Sequence, residues 1–437
     1  MTIRCKKTKR FLVEINYNEI IDLLKSYGVE KNDRVTICMP NTPEGIVSFY
    51  AVNMIGAVAN MIHPLSSENE IEFYINSAKS KLIICIDIAF EKIYNIKNNT
   101  KLEKIIVASP SEDFKIVKSS LYWLKEGRKV KLPLDEVVVP WKTFLKSSSY
   151  YMGNFDVHRK AQDAAVILYS GGTTGNPKGI MLSNLNFNAL VMQTELMVRE
   201  AGPKMTVLSI MPIFHGFGLG VCIHTPLYLG MKCVLIPAFS FKEFSNLIRR
   251  YRPNFIVGVP ALFESLIKNK FHENELSCIK CIISGGDLMS SELKKKVDAF
   301  LAHYGCSATV RHGYGLTEAT AATCLTPTNI YKEGTIGIPF PDTFYKIVRI
   351  GTHDEVPYNT DGEICISGTT VMMKYINNHE ETFQTLREHK DKRVWLHTGD
   401  IGAMDENGFI FFKQRLKRMI ISSGYNIYPS YIEDILK

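Results

Sequence analysis

The sequence predicts an α/β protein in which two layered αβαβα-type subdomains precede a small antiparallel β-barrel or sheet. Its 437 residues exceed the roughly 250–300 at which a single hydrophobic core stops growing, so several subdomains are expected. Up to residue 333, short β-branched apolar runs alternate with helix-like segments, a pattern typical of parallel strands covered by helices. From residue 334 the runs are shorter and separated by turns, which indicates an antiparallel sheet.

The strands are predicted where apolar runs are bounded by Gly, Asn and Pro. In the paired subdomains, residues 1–333, strands are predicted at 35–39, 82–86, 104–109, 163–170, 206–211, 232–237, 254–260 and 281–286. In the sheet subdomain, residues 334–413, they are predicted at 344–350, 362–368 and 408–413. A helix is predicted over 183–200, with Ser183 as its cap. The polar stretch 139–162 is predicted to be an irregular connection, and 414–437 begins a further segment.

Composition and charge indicate a globular protein and argue against a membrane or nucleic-acid-binding protein. With 46% hydrophobic and 22% charged residues, the chain can bury a large core, and no run approaches the ~20 apolar residues of a membrane span. The N-terminus lacks the apolar centre of a signal peptide, and ten scattered cysteines suit a reducing compartment, so a cytoplasmic location is predicted. The Cys278/Cys281 pair has no second pair to complete a metal site and is read as buried strand cysteines. The net charge of +8 comes without an aromatic-rich basic stripe, so nucleic-acid binding is not predicted.

A glycine-rich loop, "YSGGTTGNPKG" (169–179), follows the strand predicted at 163–170. Its glycines allow backbone N–H groups to approach a ligand, and its hydroxyls and lysine add further donors. These features predict a cradle for a polyphosphate. A P-loop is a poor fit, because Lys178 lies between Pro177 and Gly179 and no Ser or Thr follows it. The structural alternative is a flexible surface turn.

Four further stretches carry residues suited to a nucleotide site. They are "SGGD" (284–287), "HGYGLTEAT" (312–320), "WLHTGD" (395–400) and "QRLKRMIISSGYNIYP" (414–429). With the loop, they make the chain resemble the adenylate-forming superfamily along nearly its whole length and in the same order. The runs "MPIFHGFG", "VGVPALF" and "GTIGIPFPD" are most similar to its acyl-CoA synthetase branch.

The resemblance implies a two-step reaction. A carboxylate attacks the α-phosphate of ATP, with Mg²⁺ bound, to give acyl-AMP and pyrophosphate; the thiol of coenzyme A then displaces AMP. The partners implied are a small-molecule carboxylic acid, ATP and coenzyme A, and no oligomeric state follows from the sequence. The runs "PIFHGFG" and "GYNIYP" favour a fatty or aromatic acid as the substrate. An amino-acid substrate is not favoured, because the sequence offers no clear aspartate that would bind its ammonium group.

The resemblance also implies roles for individual residues. The catalytic set is Lys178, Thr317 and Glu318, with Glu318 as the Mg²⁺ ligand. The phosphate-binding set is Ser170, Gly171, Gly172, Thr173, Thr174, Gly175 and Lys178. The adenosine-binding set is Gly285, Gly286, Asp287, Gly313, Tyr314, Gly315, Asp400 and Arg415, in which Tyr314 stacks on adenine and Asp400 accepts from the ribose. The acyl-pocket set is Phe214, His215, Gly216, Gly258, Val259 and Pro260, and Lys417 is the hinge.

Structural alternatives accompany three of these roles. Glu318 could be an ordinary acid at a helix start, Asp400 could cap a turn, and His215 could be a structural histidine in an apolar stretch. Two other functions stay open beside the ligase: an enzyme that loads a carrier protein with acyl-AMP, and a nucleotide- or acyl-binding module without catalysis.

The sequence departs from the family pattern after the hinge. Only about twenty residues follow Lys417, and they contain no Gly-Lys pair to supply the lid lysine that bridges the carboxylate and the α-phosphate. Loss of one such charge typically costs on the order of 10²–10³ in rate, so we expect impaired catalysis by this chain and favour a truncation as the cause.

Overall fold

A computed structural model describes residues 17–109, 132–146, 157–170, 177–418, 420–422 and 425–427. The chain divides into two compact units. Unit 1 comprises Met1–Asn184, Ser209–Leu219 and Val234–Ala238. Unit 2 comprises Leu185–Leu208, Gly220–Cys233 and Phe239–Lys437.

Unit 1 is built on a mostly parallel sheet. Its strands are β1 (Arg34–Cys38), β2 (Val58–Met61), β3 (Leu82–Ile86), β4 (Lys104–Ala108), β5 (Val138–Pro140), β6 (Ala164–Ser170) and β7 (Lys178–Ser183). They lie in the order β7-β6-β2-β1-β3-β4-β5, and only the β6–β7 pair is antiparallel. The helices are Tyr17–Ser26, Pro43–Met54, Glu68–Ala78, Asp87–Ile96 and Trp141–Lys146, with a 3-10 turn at Lys97–Asn99.

Local sequence explains these elements. All five residues of β3 are buried, as expected for a parallel strand covered on both faces. The helix Pro43–Met54 begins with proline at its first position, after Thr42, whose hydroxyl accepts a hydrogen bond from Gly45 N–H. Ser67 and Glu70 form a reciprocal capping box at the start of Glu68–Ala78.

Two larger sheets follow, and most of their residues belong to unit 2. The first has the strands β8 (Thr206–Ser209), β9 (Lys232–Leu235), β10 (Phe255–Gly258), β11 (Cys281–Ser284), β12 (Val310–Tyr314), β13 (Cys324–Leu325) and β14 (Ile338–Pro339), ordered β14-β13-β12-β11-β10-β8-β9. The helices after β7 are Asn184–Met197, Phe217–His224 (π), Thr225–Tyr228, Phe244–Tyr251, Pro260–Leu266 and Ser291–His303, with 3-10 turns at Phe241–Glu243 and Thr317–Ala319.

The second sheet of unit 2 is antiparallel. Its strands are β15 (Thr343–Val348), β16 (Gly362–Gly368), β18 (Leu386–Glu388), β19 (Val394–Met404) and β20 (Ile410–Arg415), in the order β15-β16-β19-β18 with β20 beside β19. The short strand β17 (Lys374–Tyr375) and the helix His379–Thr385 precede β18. A 3-10 turn, Leu416–Arg418, leads to a hairpin of β21 (Ile420–Ser422) and β22 (Tyr425–Ile427).

The predicted fold class is confirmed, and the strands predicted at 82–86 and 362–368 match β3 and β16. Two local predictions need correction. The connection 139–162 is not wholly irregular, because Trp141–Lys146 is helical and buries Trp141 and Phe144. The strand β7 was missed, because it begins at the lysine of the glycine-rich loop and pairs with β6 in a hairpin. Among the described residues no helix is both long and apolar enough to cross a membrane.

Candidate active site

Three neighbouring parallel strands of unit 2 end at one edge of their sheet, and each is followed by a predicted motif. β10 pairs with β11, and β11 pairs with β12, all in parallel. Gly258 ends β10 and is followed by Val259 and Pro260; β11 is followed by Gly285, Gly286 and Asp287, and β12 by Gly315, Thr317 and Glu318. Gly285 N–H donates to the Gly258 carbonyl at 2.9 Å, which ties the first two loops together. This edge is where open α/β sheets bind ligands.

The loop after β12 makes a turn that only glycine permits. A Cβ at Gly315 would lie 1.7 Å from the Ala321 carbonyl oxygen, closer than any side chain tolerates. Thr320 and Ala321 then adopt left-handed conformations, with φ of 54° and 76°. This path holds Thr317 and Glu318, both half-buried, in the 3-10 turn Thr317–Ala319.

Glu318 is oriented by contacts that the sequence did not reveal. The Tyr375 hydroxyl donates to Glu318 Oε1 at 2.9 Å, and Met372 N–H donates to the Glu318 carbonyl at 2.8 Å. Burial, and then the neighbouring Glu318 charge, raise the pKa of Tyr375, which keeps its phenol a donor. A fixed carboxylate with a hard oxygen is the type of ligand that suits Mg²⁺.

Asp400 lies on β19, directly opposite Arg415 on β20, and is fully buried. Its Oδ2 accepts a hydrogen bond from the Tyr314 hydroxyl at 2.6 Å. Arg415 Nε lies 3.0 Å from Oδ1 as an ion pair, yet Oδ1 accepts no hydrogen bond. Burial raises the pKa of Asp400 to about 6, although Arg415 and Tyr314 act against the rise. A buried acceptor without a donor is costly and fits a site that receives a ligand hydroxyl.

The backbone around Asp400 is held by its neighbours on β16. Gly399, with φ of 68°, donates its N–H to Glu363 Oε1 at 3.0 Å. Thr398 Oγ1 donates to the Ile364 carbonyl and accepts from Asp400 N–H at 3.0 Å. These bonds fix the position of the Asp400 carboxylate.

The other predicted adenosine residues occupy the same unit. Gly313 lies within β12, and the Tyr314 ring lies 6.0 Å from that of Phe412, centroid to centroid. Gly286 has φ of 79° and is exposed, as is Asp287, whose Oδ1 accepts from Leu288 N–H. The structure therefore brings Tyr314, Asp400 and Arg415 into one constellation and places Asp287 on an exposed loop.

Unit 1 carries the flanks of the predicted phosphate loop. Ser170 ends β6 and Lys178 begins β7, and the two residues are opposite partners in the antiparallel register. Both are half-buried. The remaining predicted residues of this loop, Gly171, Gly172, Thr173, Thr174 and Gly175, lie outside the described residues.

Part of the predicted acyl pocket also lies in unit 1. Phe214 is buried against His63, with ring centroids 4.2 Å apart, and the following His215 is exposed beside buried Gly216. Desolvation by the surrounding protein, then the charge of His63, lower the pKa of His215, so its imidazole is neutral near pH 7. Asn41 holds this segment: its Nδ2 donates to the Ser209 and Met211 carbonyls, and its Oδ1 accepts from Ile213 N–H.

The remaining acyl-pocket residues belong to unit 2. Gly258 ends β10, and a Cβ there would approach the Leu262 side chain to 2.4 Å. Val259 is the N-cap of the helix Pro260–Leu266, and Pro260 occupies its first position. Lys417, the predicted hinge, is exposed in the 3-10 turn after β20.

Four residues that the sequence did not indicate position predicted site residues within their own units: Asn41 and His63 in unit 1, and Glu363 and Tyr375 in unit 2. Asn41 and His63 each follow a strand of unit 1 at its carboxyl end, a place where function concentrates, so strand position could have indicated them. Glu363 stood inside a strand prediction, and nothing near Tyr375 in the sequence indicated its role.

Known proteins resemble this chain over most of its length. The sequence pattern of a family described as AMP-binding enzyme matches residues 14–376. A long-chain-fatty-acid–CoA ligase of Bacillus subtilis (strain 168) is 32% identical over 425 residues, covering 94% of this chain and 73% of that protein. A probable 4-coumarate–CoA ligase 1 of Dictyostelium discoideum is 29% identical with the same coverage.

Solved structures share the fold at lower identity. ATP-bound MatB from Rhodopseudomonas palustris superposes with a TM-score of 0.80 at 22% identity, covering 96% of this chain and 75% of that one. The anthranilate CoA ligase AuaEII, in complex with anthranoyl-AMP, gives a TM-score of 0.82 at 20% identity, covering 100% of this chain and 79% of that one.

Proposed function

Because the chain belongs to the AMP-binding enzyme family, we propose that it is an AMP-forming acid–CoA ligase that activates a fatty acid. The carboxylate oxygen attacks the α-phosphorus of ATP and the bond to pyrophosphate breaks, which gives acyl-AMP. The coenzyme A thiolate then attacks the acyl carbon and AMP leaves. The observation that carries the proposal is the buried Asp400, held by Tyr314 and Arg415, with one carboxylate oxygen that accepts no hydrogen bond.

Asp400 and its partners are suited to bind the nucleoside. Oδ1 is ion-paired with Arg415 but accepts no hydrogen bond, so it would accept one from a ribose hydroxyl, while Tyr314 keeps Oδ2 in place. Arg415, whose side chain is 57% exposed, can turn from the ion pair to a second ribose oxygen. Burial strengthens these contacts, because a hydrogen bond to a charged group is worth about 1.5–3 kcal/mol.

Other residues would bind the phosphates and the Mg²⁺ ion. Ser170 and Lys178, with the loop between them, would hold the β- and γ-phosphates, and Thr317 would contact the α-phosphate. Glu318, oriented by Tyr375, would hold Mg²⁺, which neutralises phosphate charge when it is bound. Catalysis of this kind rests on positioning and on charge stabilisation.

The substrate class follows from the relatives and from the apolar segments. The relative of highest identity among those above is named for long-chain fatty acids, and the one named for 4-coumarate is less similar. Neither 211–218 nor 257–263 contains an acidic side chain that would hold an ammonium group. Phe214 and His215, the latter neutral near pH 7, suit an uncharged acyl chain. Coenzyme A as acceptor, a hinge at Lys417 and a cytoplasmic location belong to the same proposal.

The test measures pyrophosphate release by the chain with ATP, Mg²⁺ and a series of short, medium and long fatty acids and 4-coumarate. Mass spectrometry then identifies acyl-AMP without coenzyme A and the thioester with it. A Glu318→Gln variant should lose on the order of 10²–10³ in rate, whereas the exposed Glu406→Gln variant should match the parent.

Binding is measured separately by thermal shift with non-hydrolysable acyl-adenylate analogues. Stabilisation by a long-chain analogue alone supports the fatty-acid assignment, and stabilisation by the aromatic analogue alone replaces it with an aromatic acid. If no analogue and no ATP stabilises the chain, and no acid gives acyl-AMP, the proposed ligase activity is wrong.

A further inference from the structure

Three histidines converge in the antiparallel sheet of unit 2, where the ligase reaction gives them no role. His353 lies in the turn after β15, His389 follows β18, and His397 lies within β19. One ring nitrogen from each lies within 4.8 Å of the others. His389 and His397 are only 4% and 6% exposed, whereas His353 is exposed. Buried imidazoles so close together need either a shared proton or a shared ion.

Glu363 orients the His397 ring and selects its tautomer. The Nδ1 of His397 lies 2.9 Å from Glu363 Oε2, and the other carboxylate oxygen accepts from Gly399 N–H. The carboxylate is therefore placed to accept a hydrogen bond from Nδ1–H of His397, which leaves the lone pair of this ring on Nε2. Metal-binding histidines commonly have such a carboxylate partner.

His389 presents its own nitrogen to that lone pair. The two Nε2 atoms lie 2.9 Å apart, and the second nitrogen of His389, Nδ1, is buried without a hydrogen-bond partner. In a tetrahedral site with ligands at 2.0–2.1 Å the two nitrogens would stand about 3.3 Å apart, so a shift of a few tenths of an ångström makes room for an ion.

His353 is the movable member of the cluster. Its ring stacks on His389 with centroids 4.2 Å apart and 9° between the planes, so the two rings cannot point at one ion as they stand. Because His353 is exposed, rotation of its side chain can bring a nitrogen toward the other two. Cys365 Sγ and Glu363 Oε2 lie near Nδ1 of His397, at 3.6 and 2.9 Å, whereas His389 faces its Nε2. The ligand set is therefore imidazole alone.

We propose that His353, His389 and His397 bind one Zn²⁺ ion, with water as the fourth ligand and Glu363 as the partner that orients His397. Neutral imidazoles suit zinc and related transition metals, whereas Mg²⁺ prefers oxygen ligands, so this site is separate in chemistry from the one assigned to Glu318. The ion would join the turn after β15, the segment after β18 and β19, three residues ahead of Asp400. Zinc should therefore stabilise this sheet.

The test is equilibrium dialysis of the metal-stripped chain against Zn²⁺, with Co²⁺ absorption as a second probe. The parent and the exposed His303→Ala variant should each bind one equivalent and melt at a higher temperature with Zn²⁺. His353→Ala and His389→Ala should bind at least tenfold more weakly, and Glu363→Gln about 10–100-fold more weakly. Because His353 is exposed, its variant keeps the test valid even if His389→Ala fails to fold.

Three other results would contradict the proposed zinc site. Absence of saturable binding by the parent would leave the cluster as a hydrogen-bonded pair of buried histidines that Glu363 orients. Unchanged zinc affinity in both His353→Ala and His389→Ala would do the same. Loss of binding in Cys278→Ser, with both histidine variants intact, would assign the ion to cysteine, because Cys278 is the half-buried member of the C-x-x-C pair.

Discussion

Replacing Asp400 by asparagine should make the chain more stable while weakening its nucleotide binding. The change keeps the shape of the side chain, and an amide oxygen can still accept from the Tyr314 hydroxyl. It removes a fully buried negative charge, and the half-exposed Arg415 can return to water. The affinity for ATP should fall at least tenfold, because a ribose hydroxyl loses its charged acceptor.

The magnitude follows from the raised pKa of Asp400. Burial raises it from 3.8 to about 6, which at 1.36 kcal/mol per pKa unit corresponds to about 3 kcal/mol. Because the folded chain binds this proton more tightly than the unfolded chain does, the charge destabilises the fold above the folded pKa and has no effect below the unfolded one. The gain from Asp400→Asn should therefore approach about 3 kcal/mol at pH 7.5 and fall below about 1 kcal/mol at pH 4.

The assay is denaturant unfolding of both proteins, followed by fluorescence, at several pH values between 4 and 7.5. Asp361→Asn, at an exposed position in the same unit, is the matched control and should show no pH-dependent gain. A variant less stable than the parent at pH 7.5 would refute the reasoning, since Arg415 would then compensate the buried charge fully. So would a gain equal at pH 4 and pH 7.5, since it could not arise from ionisation.

Three further changes test the loops around the site. Gly315→Ala should lower the free energy of unfolding by about 3 kcal/mol or more, because its Cβ would meet the Ala321 carbonyl. The control Gly202→Ala should not, because its Cβ meets no atom within 4 Å. Equal melting temperatures for the two variants would disprove the turn at Gly315. Tyr314→Phe should weaken ATP binding about 10-fold by releasing Asp400 Oδ2, measured by calorimetry, and unchanged affinity would mean that Tyr314 does not position Asp400. Tyr375→Phe should raise several-fold the Mg²⁺ concentration needed for half-maximal pyrophosphate release, because Glu318 loses its hydrogen-bond donor. Tyr358→Phe, at an exposed position, is the control, and the same shift in that variant would count against the role of Tyr375.

Sequence patterns predicted those parts of the fold that depend on neighbours along the chain. "LIICI" is apolar throughout because both faces of β3 are covered, so its burial could be read directly from composition. β16 is bounded by glycines and matches its predicted range at both ends. β19 was not predicted, because Gly399 and Gly402 interrupt its apolar run and a polar "HTGD" lies at its centre. Its strand conformation depends on pairing with β16, β18 and β20.

Some features of the candidate site could likewise be predicted from the sequence, whereas others depend on the tertiary structure. The glycine-rich loop, the glycines of "HGYGLTEAT" and the acid of "HTGD" are visible in the sequence, because the residue types of each motif lie together along the chain. Tyr314 and Asp400 stand 86 residues apart, and Glu318 and Tyr375 stand 57 apart, so no local pattern joins them. The packing of the sheets in unit 2 brings these pairs within hydrogen-bonding distance, and burial then raises the pKa values of Asp400 and Tyr375. Residue types and backbone requirements are properties of the chain, whereas charge states and partners arise only when distant segments exclude water together.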